Sequence, residues 1–298
     1  MDRFHEMQVF VAVAEEAGFA AAARRLQMSP PAVTRAIAAL EDRLGIRLLT
    51  RTTRSVRVTD AGERYLEDAR RILADVTTAD ELAAGLEATP KGRLTVTAPV
   101  MFGRLYVLPG ILDYLHRYPD TDVQAMFLDR VVNLLDEDID VAVRIGQLPD
   151  SSLRATRVGS VRTVVCASPH YLSVFGEPDT PDQLVDHQVI IVAGGSGRVG
   201  WRFRDQSRAV QLSPRLTVTS NSAAVSAAVH GFGITRLLSY QVASEIADGS
   251  LVPLLEDFEP DTSPVQIVHR EGRLQSAKLR AFVDLLADQL RNSELLKL

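Results

Sequence analysis

The chain has 298 residues, a net charge of −5 and a single cysteine, Cys166. The length allows two or three domains, and 46% hydrophobic with 24% charged residues is ordinary for a folded soluble protein. One cysteine excludes an intramolecular disulfide, no stretch is long and apolar enough to cross a bilayer, and MDRFHEMQVF has no signal-peptide core, so we expect a cytoplasmic location.

Three short helices are predicted first, beginning with one over residues 4–16. In the second, apolar residues recur at helical intervals: Phe19, Ala22, Ala23 and Leu26. Ser29 is a suitable N-cap for the third, Pro30 fits its first turn and Gly45 ends it. The predicted buried stripe of this third helix is Val33, Ile37, Leu40 and Leu44. Two such helices joined by a tight turn, at about 19–38, are typical of a DNA-binding module whose second helix contacts base edges.

An arginine-rich hairpin is predicted next, with Thr52–Thr53 at its tip. Its arginines alternate with apolar residues and are suited to neutralise phosphates: Arg47, Arg51, Arg54 and Arg57. Residues 20–57 hold eight arginines and two acids, a local charge of +6 in an acidic chain. Such a patch indicates a DNA-binding module attached to something else. The alternative is a solvated helical pair with ordinary surface arginines.

Thr59 or Asp60 caps a long helix that is predicted to reach about Glu87. Its apolar residues recur in steps of three and four, close to a coiled-coil seam: Leu66, Ala69, Leu73, Val76, Ala79, Ala83 and Leu86. We interpret it as a dimerisation helix, because a single module contacts only a half-site. The alternative is a helix packed on its own domain.

Strands alternate with helices after a hinge at residues 89–92, which predicts parallel sheets with helices on their faces. The prediction includes a short helix over residues 131–139 and a hairpin over GWRFR and AVQLS. Ligands in such folds bind at strand C-terminal ends and helix N-termini. Candidate ligand-binding residues are therefore Ala98, Pro99, Val100, Met101, Leu128, Arg144, Ile145, Ser168, Trp201, Asn221 and Ser222. Arg144 is suited to pair a carboxylate, and the alternative for each residue is a structural turn.

The motifs resemble LysR-type transcriptional regulators along the whole chain. They include AAARRL, SPPAVTRAIAALEDRLGIRLLTRT, VTDAG, GRLTVTAPVMFGRLYVLP, CASPHYL and GFGITRLLSYQV. The resemblance implies a winged helix-turn-helix, a linker helix used for dimerisation, and two Rossmann-like α/β subdomains similar to a periplasmic binding protein. The chain is expected to cross between the subdomains twice, near Arg162–Ala167 and Pro264–Val268. Many members carry Gln in place of Pro30, and Ser or Thr in place of Pro99 or Val100. The first departure removes a potential base-reading amide, and the second favours a less polar ligand head group or a different use of the pocket.

The resemblance also implies boundaries and partners. The winged module spans 1–58, the linker helix 59–88 and the effector-binding domain 89–298, with subdomain I at about 91–162 and 265–298 and subdomain II at about 163–264. The implied partners are double-stranded promoter DNA, a small-molecule effector and further copies of the chain, as a homodimer or a homotetramer (dimer of dimers); RNA polymerase is a further candidate. The residues expected to contact DNA are Ser29, Pro30, Ala32, Thr34, Arg35, Arg51, Thr52 and Arg54, with Thr34 and Arg35 as base readers.

Other patterns support no chemistry. Gly195–Gly200 matches G-x-G-x-x-G, but a hairpin is predicted to follow instead of the helix that a dinucleotide site needs. The six histidines have no metal-binding spacing, and Cys166 has no resolving partner. The sequence thus predicts no metal, no cofactor and no catalysis. A solute receptor with an unrelated N-terminal extension, or an enzyme using the α/β region, are the alternative interpretations.

Overall fold

The computed structural model describes residues 2–51, 56–84, 89–134, 136–148, 153–192, 199–204, 208–270 and 276–296. Contacts divide the chain into two compact units, residues 1–88 and 89–298. Over the described stretches, we find no helix with the length and apolar character that a membrane crossing requires.

The first unit combines helices with a two-stranded hairpin. Its elements are α1 (Arg3–Glu15), α2 (Phe19–Arg25), α3 (Pro30–Leu44), β1 (Leu49–Arg51), β2 (Val56–Val58) and α4 (Asp60–Ala84). The strands β1 and β2 are antiparallel, as predicted for a wing. Helices α1 to α3 share an apolar core with Leu48, Leu49 and Leu66. Helix α4 comes so close to β1 that a Cβ on Gly62 would lie 2.2 Å from the Leu48 carbonyl oxygen.

Helix α3 begins and ends as predicted, with Ser29 as N-cap and Gly45 in the left-handed conformation at φ 70°. The predicted stripe is wrong at its last member, because Leu44 is 36% exposed while Glu41 is buried. The chain reverses at Gly45, and the start of β1 then lies against Glu41 instead of Leu44.

The second unit contains two five-stranded sheets. The first has the order β4-β3-β5-β14-β6 and the second β11-β8-β12-β7-β13. The strands of the first are β3 (Gly92–Ala98), β4 (Thr121–Phe127), β5 (Val141–Ile145), β6 (Leu153–Val161) and β14 (Ser263–Arg270). Those of the second are β7 (Thr163–Ala167), β8 (Val189–Val192), β11 (Leu216–Val218), β12 (Ile234–Leu238) and β13 (Val252–Leu254).

Both sheets are mixed, whereas the alternation of strands and helices predicted parallel ones. Strand β14 is antiparallel to β5 and β6, and β7 is antiparallel to β12 and β13. These two strands enter directly from the other sheet, without the crossover helix that a parallel connection needs. The chain passes between the sheets at Arg162 and again over residues 255–262. The second passage was predicted near Pro264–Val268, but Pro264 already lies in β14 opposite Ser160.

The helices of this unit follow the predicted pattern with two differences. The helical segments are α5 (Val100–Phe102), α6 (Leu108–Arg117), α7 (Pro169–Phe175), α8 (Asn221–Val229), α9 (Ala243–Ala247) and α10 (Ala277–Asn292). A π-turn at Gly103–Val107 joins α5 to α6, and Gln289 Nε2 donates to the Tyr106 carbonyl there, at 3.2 Å. The helix predicted over 131–139 is wrong: its described residues form turns, because Asn133 bonds to Asp136 and Glu137.

A small hairpin completes the second unit. Strand β9 (Val199–Trp201) pairs antiparallel with β10 (Val210–Leu212), which confirms the predicted hairpin. A strand therefore follows the G-x-G-x-x-G pattern, where a dinucleotide-binding fingerprint requires a helix. Trp201 and Phe203 of this hairpin pack into the core of the second sheet.

Candidate functional sites

The N-terminal end of α3 presents several of the predicted DNA-contacting residues. Ser29 and Pro30 are exposed, and the Ser29 side chain makes no capping hydrogen bond. Arg35 is exposed one turn further along, while Ala32 and Thr34 are half-buried. This end of α3 therefore offers a free hydroxyl and a guanidinium to a ligand outside the unit.

The wing is described in part. Arg57 is an exposed residue of β2, opposite Thr50 of β1. Arg51 is the last residue of β1. The predicted DNA contacts Thr52 and Arg54 lie outside the described residues.

The arginines of the basic patch divide into two groups. Three are engaged by acids of the same unit: Arg25 with Glu15 at 2.7 Å, Arg43 with Glu6 at 3.0 Å and Arg47 with Glu41 at 2.9 Å. Over the parts of the unit that the structure describes, Arg24, Arg35 and Arg57 are exposed and form no ion pair. The charge available to DNA is thus smaller than the sequence count indicates.

Glu41 is a residue whose role the sequence interpretation missed. Its side chain is buried, and Oε1 accepts hydrogen bonds from the Leu48 and Leu49 amides at 2.9 and 3.0 Å. Its other oxygen accepts from Arg47 Nη1 at 2.9 Å. Glu41 therefore fixes the wing to α3. The sequence indicates this role through the position of Glu41, which follows Leu40 on the apolar side of the helix.

The second unit contains a cleft of about 880 Å³ between its two sheets. Five predicted residues line it: Pro99, Leu128, Ile145, Trp201 and Asn221. They come from strand ends and from the start of α8, where ligands of such folds bind. Further lining residues include Thr163, Ile190, Thr219, Arg236 and Tyr240.

Six predicted ligand-binding residues are not among the lining residues. Ala98 is buried in the core of the first sheet, Met101 packs against that core and Val100 is 46% exposed. Ala98 is the last residue of β3, and Val100 and Met101 belong to the helix that starts immediately after Pro99.

The other three residues are engaged in local hydrogen bonds. Arg144 Nη2 donates to the Val132 carbonyl at 2.7 Å, and burial lowers the pKa of this arginine. Ser168 caps α7 by accepting from the Tyr171 amide at 3.2 Å. The Ser222 hydroxyl lies 2.8 Å from that of Ser220. These bonds fit the alternative interpretation, a structural turn or cap, and ligand contact at these residues stays a prediction.

Arg236 lines the cleft in the middle of β12 and was not predicted. Its guanidinium carbon lies 5.1 Å from the ring centroid of Phe203 and 5.8 Å from that of Trp201, within reach of a cation–π interaction. The side chain is half-buried, which lowers its pKa. Among the described residues it has no hydrogen-bond or ion-pair partner. The indication in the sequence was an arginine inside the apolar strand ITRLL.

Tyr240, just beyond the end of β12, connects the two subdomains. Its ring is 3% exposed and meets Phe102 and Tyr106 of the helix after β3 edge-on, with centroids 5.2 and 6.0 Å away. Burial raises the pKa of its hydroxyl, which accepts from Gln241 Nε2 at 3.2 Å. One end of a strand from the second sheet is therefore anchored in the core of the first.

Comparison with known proteins assigns both units. Residues 4–63 match the model described as "Bacterial regulatory helix-turn-helix protein, lysR family", and residues 87–291 match "LysR substrate binding domain". The chain belongs to the LysR family. It is a DNA-binding transcriptional regulator with an effector-binding domain, and regulators of this family bind DNA and effectors and act as oligomers.

Named relatives agree over almost the full length. The HTH-type transcriptional regulator CrgA of Neisseria meningitidis serogroup B is 33% identical over 290 residues, 97% of each chain. The probable regulator LtrA of Klebsiella pneumoniae is 30% identical, over 95% of this chain and 93% of the relative. Among solved structures of LysR regulators, CrgA gives a TM-score of 0.63 over 97% of this chain and 99% of that one, at 32% identity. AphB of Vibrio cholerae gives 0.59 over 96% and 99%, at 26% identity.

Proposed function

We propose that this LysR regulator binds dyad-symmetric promoter DNA through the N-terminal end of α3 and the wing, as a homodimer or a dimer of dimers. The observation that carries this proposal is the exposed end of α3, where Ser29 and Arg35 have no internal partners among the described residues. Thr34 and Arg35 contact bases, while Arg51, Thr52 and Arg54 contact the backbone. The protein acts in the cytoplasm, where promoter DNA lies, with RNA polymerase as a candidate partner.

The division of the chain is part of the same proposal. Residues 1–58 form the DNA-binding module, 59–88 the dimerisation helix and 89–298 the effector-binding domain. Leu66 and Ala69 at the start of α4 are buried in their own unit, so they do not contribute to a dimer seam. Leu73 and Val76, which follow on the same helix, are half-buried, and we assign the seam to this later part.

A small molecule in the cleft controls the spacing of the DNA-binding modules. Its binding stabilises one arrangement of the two subdomains over another, which is a shift between two populated states. The cleft volume of about 880 Å³ suits a small metabolite, because ligand pockets typically span roughly 300–1,000 Å³.

The test is fluorescence anisotropy with the DNA immediately upstream of the protein's own gene and with scrambled DNA, across a salt series. Arg35→Ala should reduce the preference for the upstream fragment, since a bidentate base contact contributes roughly 1–3 kcal/mol. Arg57→Ala, and Arg54→Ala in the same wing, should weaken both fragments alike and reduce the salt slope by about 1.

Arg117→Ala is the matched control. This arginine pairs with Asp113 on α6 of the other unit, so its loss removes the same charge far along the chain from the DNA-binding residues. It should leave both affinities unchanged. Equal effects of the Arg35 and Arg57 substitutions in the salt titration would contradict the division into base and backbone contacts.

A further inference from the structure

Arg236 lines the cleft as a cation that has no counter-charge among the residues the structure describes. Two aromatic rings, those of Trp201 and Phe203, lie within 6 Å of its guanidinium, and the side chain is half-buried. The two rings fix its orientation but do not neutralise it. Removing a charge from water costs free energy unless the charge is paired. An anion that enters this cleft pairs with the guanidinium and so offsets the desolvation cost of Arg236.

The surroundings of Arg236 add donors of the kind that an oxyanion needs. Thr163, Thr219 and Asn221 line the same cleft. Asn221 is also the first residue of α8, a nine-residue helix whose N-cap Ser220 makes no capping hydrogen bond. The free N–H groups and positive dipole of a helix start favour an anion.

The two charged residues of the first subdomain that line the cleft are already engaged. Asp129 Oδ1 accepts from the Val100 amide at 2.9 Å, and Arg130 Nη1 donates to Glu137 at 2.8 Å. Arg130 is thus paired with an acid, whereas the amide hydrogen bond leaves the charge of Asp129 in place on the first-subdomain side. Among the described lining residues, Arg236 is therefore the cation without an ion-pair partner.

Most of the remaining lining residues are apolar. Strand β8 contributes Ile190, Ile191 and Val192, and Leu237 and Leu238 lie next to Arg236 on β12. Apolar walls with a few placed polar groups are typical of sites for small organic molecules. A bare inorganic anion would leave these walls in contact with water.

We propose that the cleft binds a small organic anion, a carboxylate attached to a compact apolar body, and that the Arg236 guanidinium is the receptor for the carboxylate. The proposal rests on the proposed effector function, and it specifies the chemical class of the effector. The apolar body lies along β8, and the carboxylate lies between Arg236 and the start of α8.

The experiment uses the full-length chain and three probes: benzoate, its uncharged analogue benzamide and inorganic phosphate. Binding is followed by calorimetry and by the fluorescence of Trp201, the single tryptophan of the chain. Benzoate should bind at least about tenfold more tightly than benzamide and phosphate, because charge-assisted hydrogen bonds are the strong ones. Arg236→Gln should weaken benzoate at least about tenfold, and Arg236→Lys should weaken it less.

Arg117→Gln, which removes the same charge from the surface of α6, is the matched control and should bind benzoate as the unchanged protein does. The proposal is overturned if benzoate does not bind, if benzamide or phosphate binds as well, or if Arg236→Gln leaves benzoate affinity unchanged. The lysine variant keeps the test valid if the glutamine variant does not fold. Binding to the upstream DNA, measured in parallel, separates the proposed regulator function from the proposed effector class. Absence of specific DNA binding refutes the regulator function. Specific DNA binding without benzoate binding refutes only the effector class.

Discussion

The acids of the first unit decide what its arginines can do. Glu6, Glu15 and Glu41 each bind an arginine of the basic patch, so those cations stabilise the fold, while Arg24, Arg35 and Arg57 are exposed. The ion pairs that involve exposed arginines contribute little by themselves to the free energy of unfolding. The hydrogen bonds from Glu41 to two buried amides are different, because an amide left without a partner costs the full penalty of its desolvation.

Glu41→Ala is therefore expected to destabilise the first unit by about 2–4 kcal/mol, since it leaves the Leu48 and Leu49 amides without their acceptor. Hydrogen exchange in the full-length protein measures this directly, as faster exchange at those two amides. Asp42→Ala removes the same charge from an exposed neighbour and should leave the exchange unchanged. Unchanged protection in the Glu41 variant would contradict the role assigned here.

At the scale of elements, helix ends were predicted well and sheet partners were not. Ser29 before α3 and Gly45 after it occupy the predicted cap positions through local geometry, which a single segment of sequence contains. Arg236 was missed because its exposure to the cleft depends on strands far away in the chain. The same holds for the reversed strand β14, whose direction depends on how the chain enters the sheet.

Helix α7 is attached to β8 through a hydrogen-bonded histidine. The buried Tyr171 hydroxyl accepts from the Gln188 amide at 2.9 Å and lies 3.2 Å from His187 Nδ1, to which it donates when the imidazole is neutral. Burial lowers the pKa of His187, partly opposed by Asp186. The folded state thus favours neutral His187. The contribution of this residue to the free energy of unfolding is fully present above the unfolded pKa of about 6.5, and it is lost as the pH falls through the lower folded pKa.

We expect the melting temperature of the second unit to fall between pH 8 and pH 5.5, and His187→Asn to make this fall smaller because it removes the titrating group. Differential scanning calorimetry of the full chain measures both. His230→Asn, a substitution of the residue that caps the end of α8 and bonds to Ser226, is the control and should keep the unchanged pH dependence. An identical fall in the His187 variant would refute the assignment.

At the scale of the whole molecule, the two passages between the subdomains are tied together. Arg162, in the first passage, donates to both oxygens of Glu259, in the second, at 3.1 and 3.3 Å. Glu259 is buried, while Glu256 lies further from Arg162, at 3.8 Å, and is exposed. This pair ties together the two segments that form the hinge between the subdomains of the second unit.

Glu259→Ala should loosen this hinge, because it removes the acceptor of the hydrogen bonds by which Arg162 of the first passage holds the second. Hydrogen exchange at residues 160–163 and 255–263 should become faster by several-fold, on the order expected for one partly screened ion pair. Glu256→Ala is the matched control and should change exchange little. Equal exchange in both variants would show that the ion pair does not restrain the hinge.

Strand β12 has one further consequence, which concerns how this protein can be altered. The strand carries the guanidinium that faces the cleft, and two residues beyond its end lies Tyr240, embedded among Phe102 and Tyr106. Substitutions in β12 therefore change ligand affinity together with the approach to that anchor, whereas β8 forms an apolar wall of the cleft and lies wholly in the second sheet. Because Ile190 and Ile191 are also buried in the core of the second sheet, a biosensor with a new specificity is better engineered at the half-buried Val192, and natural variation in ligand preference should concentrate there as well.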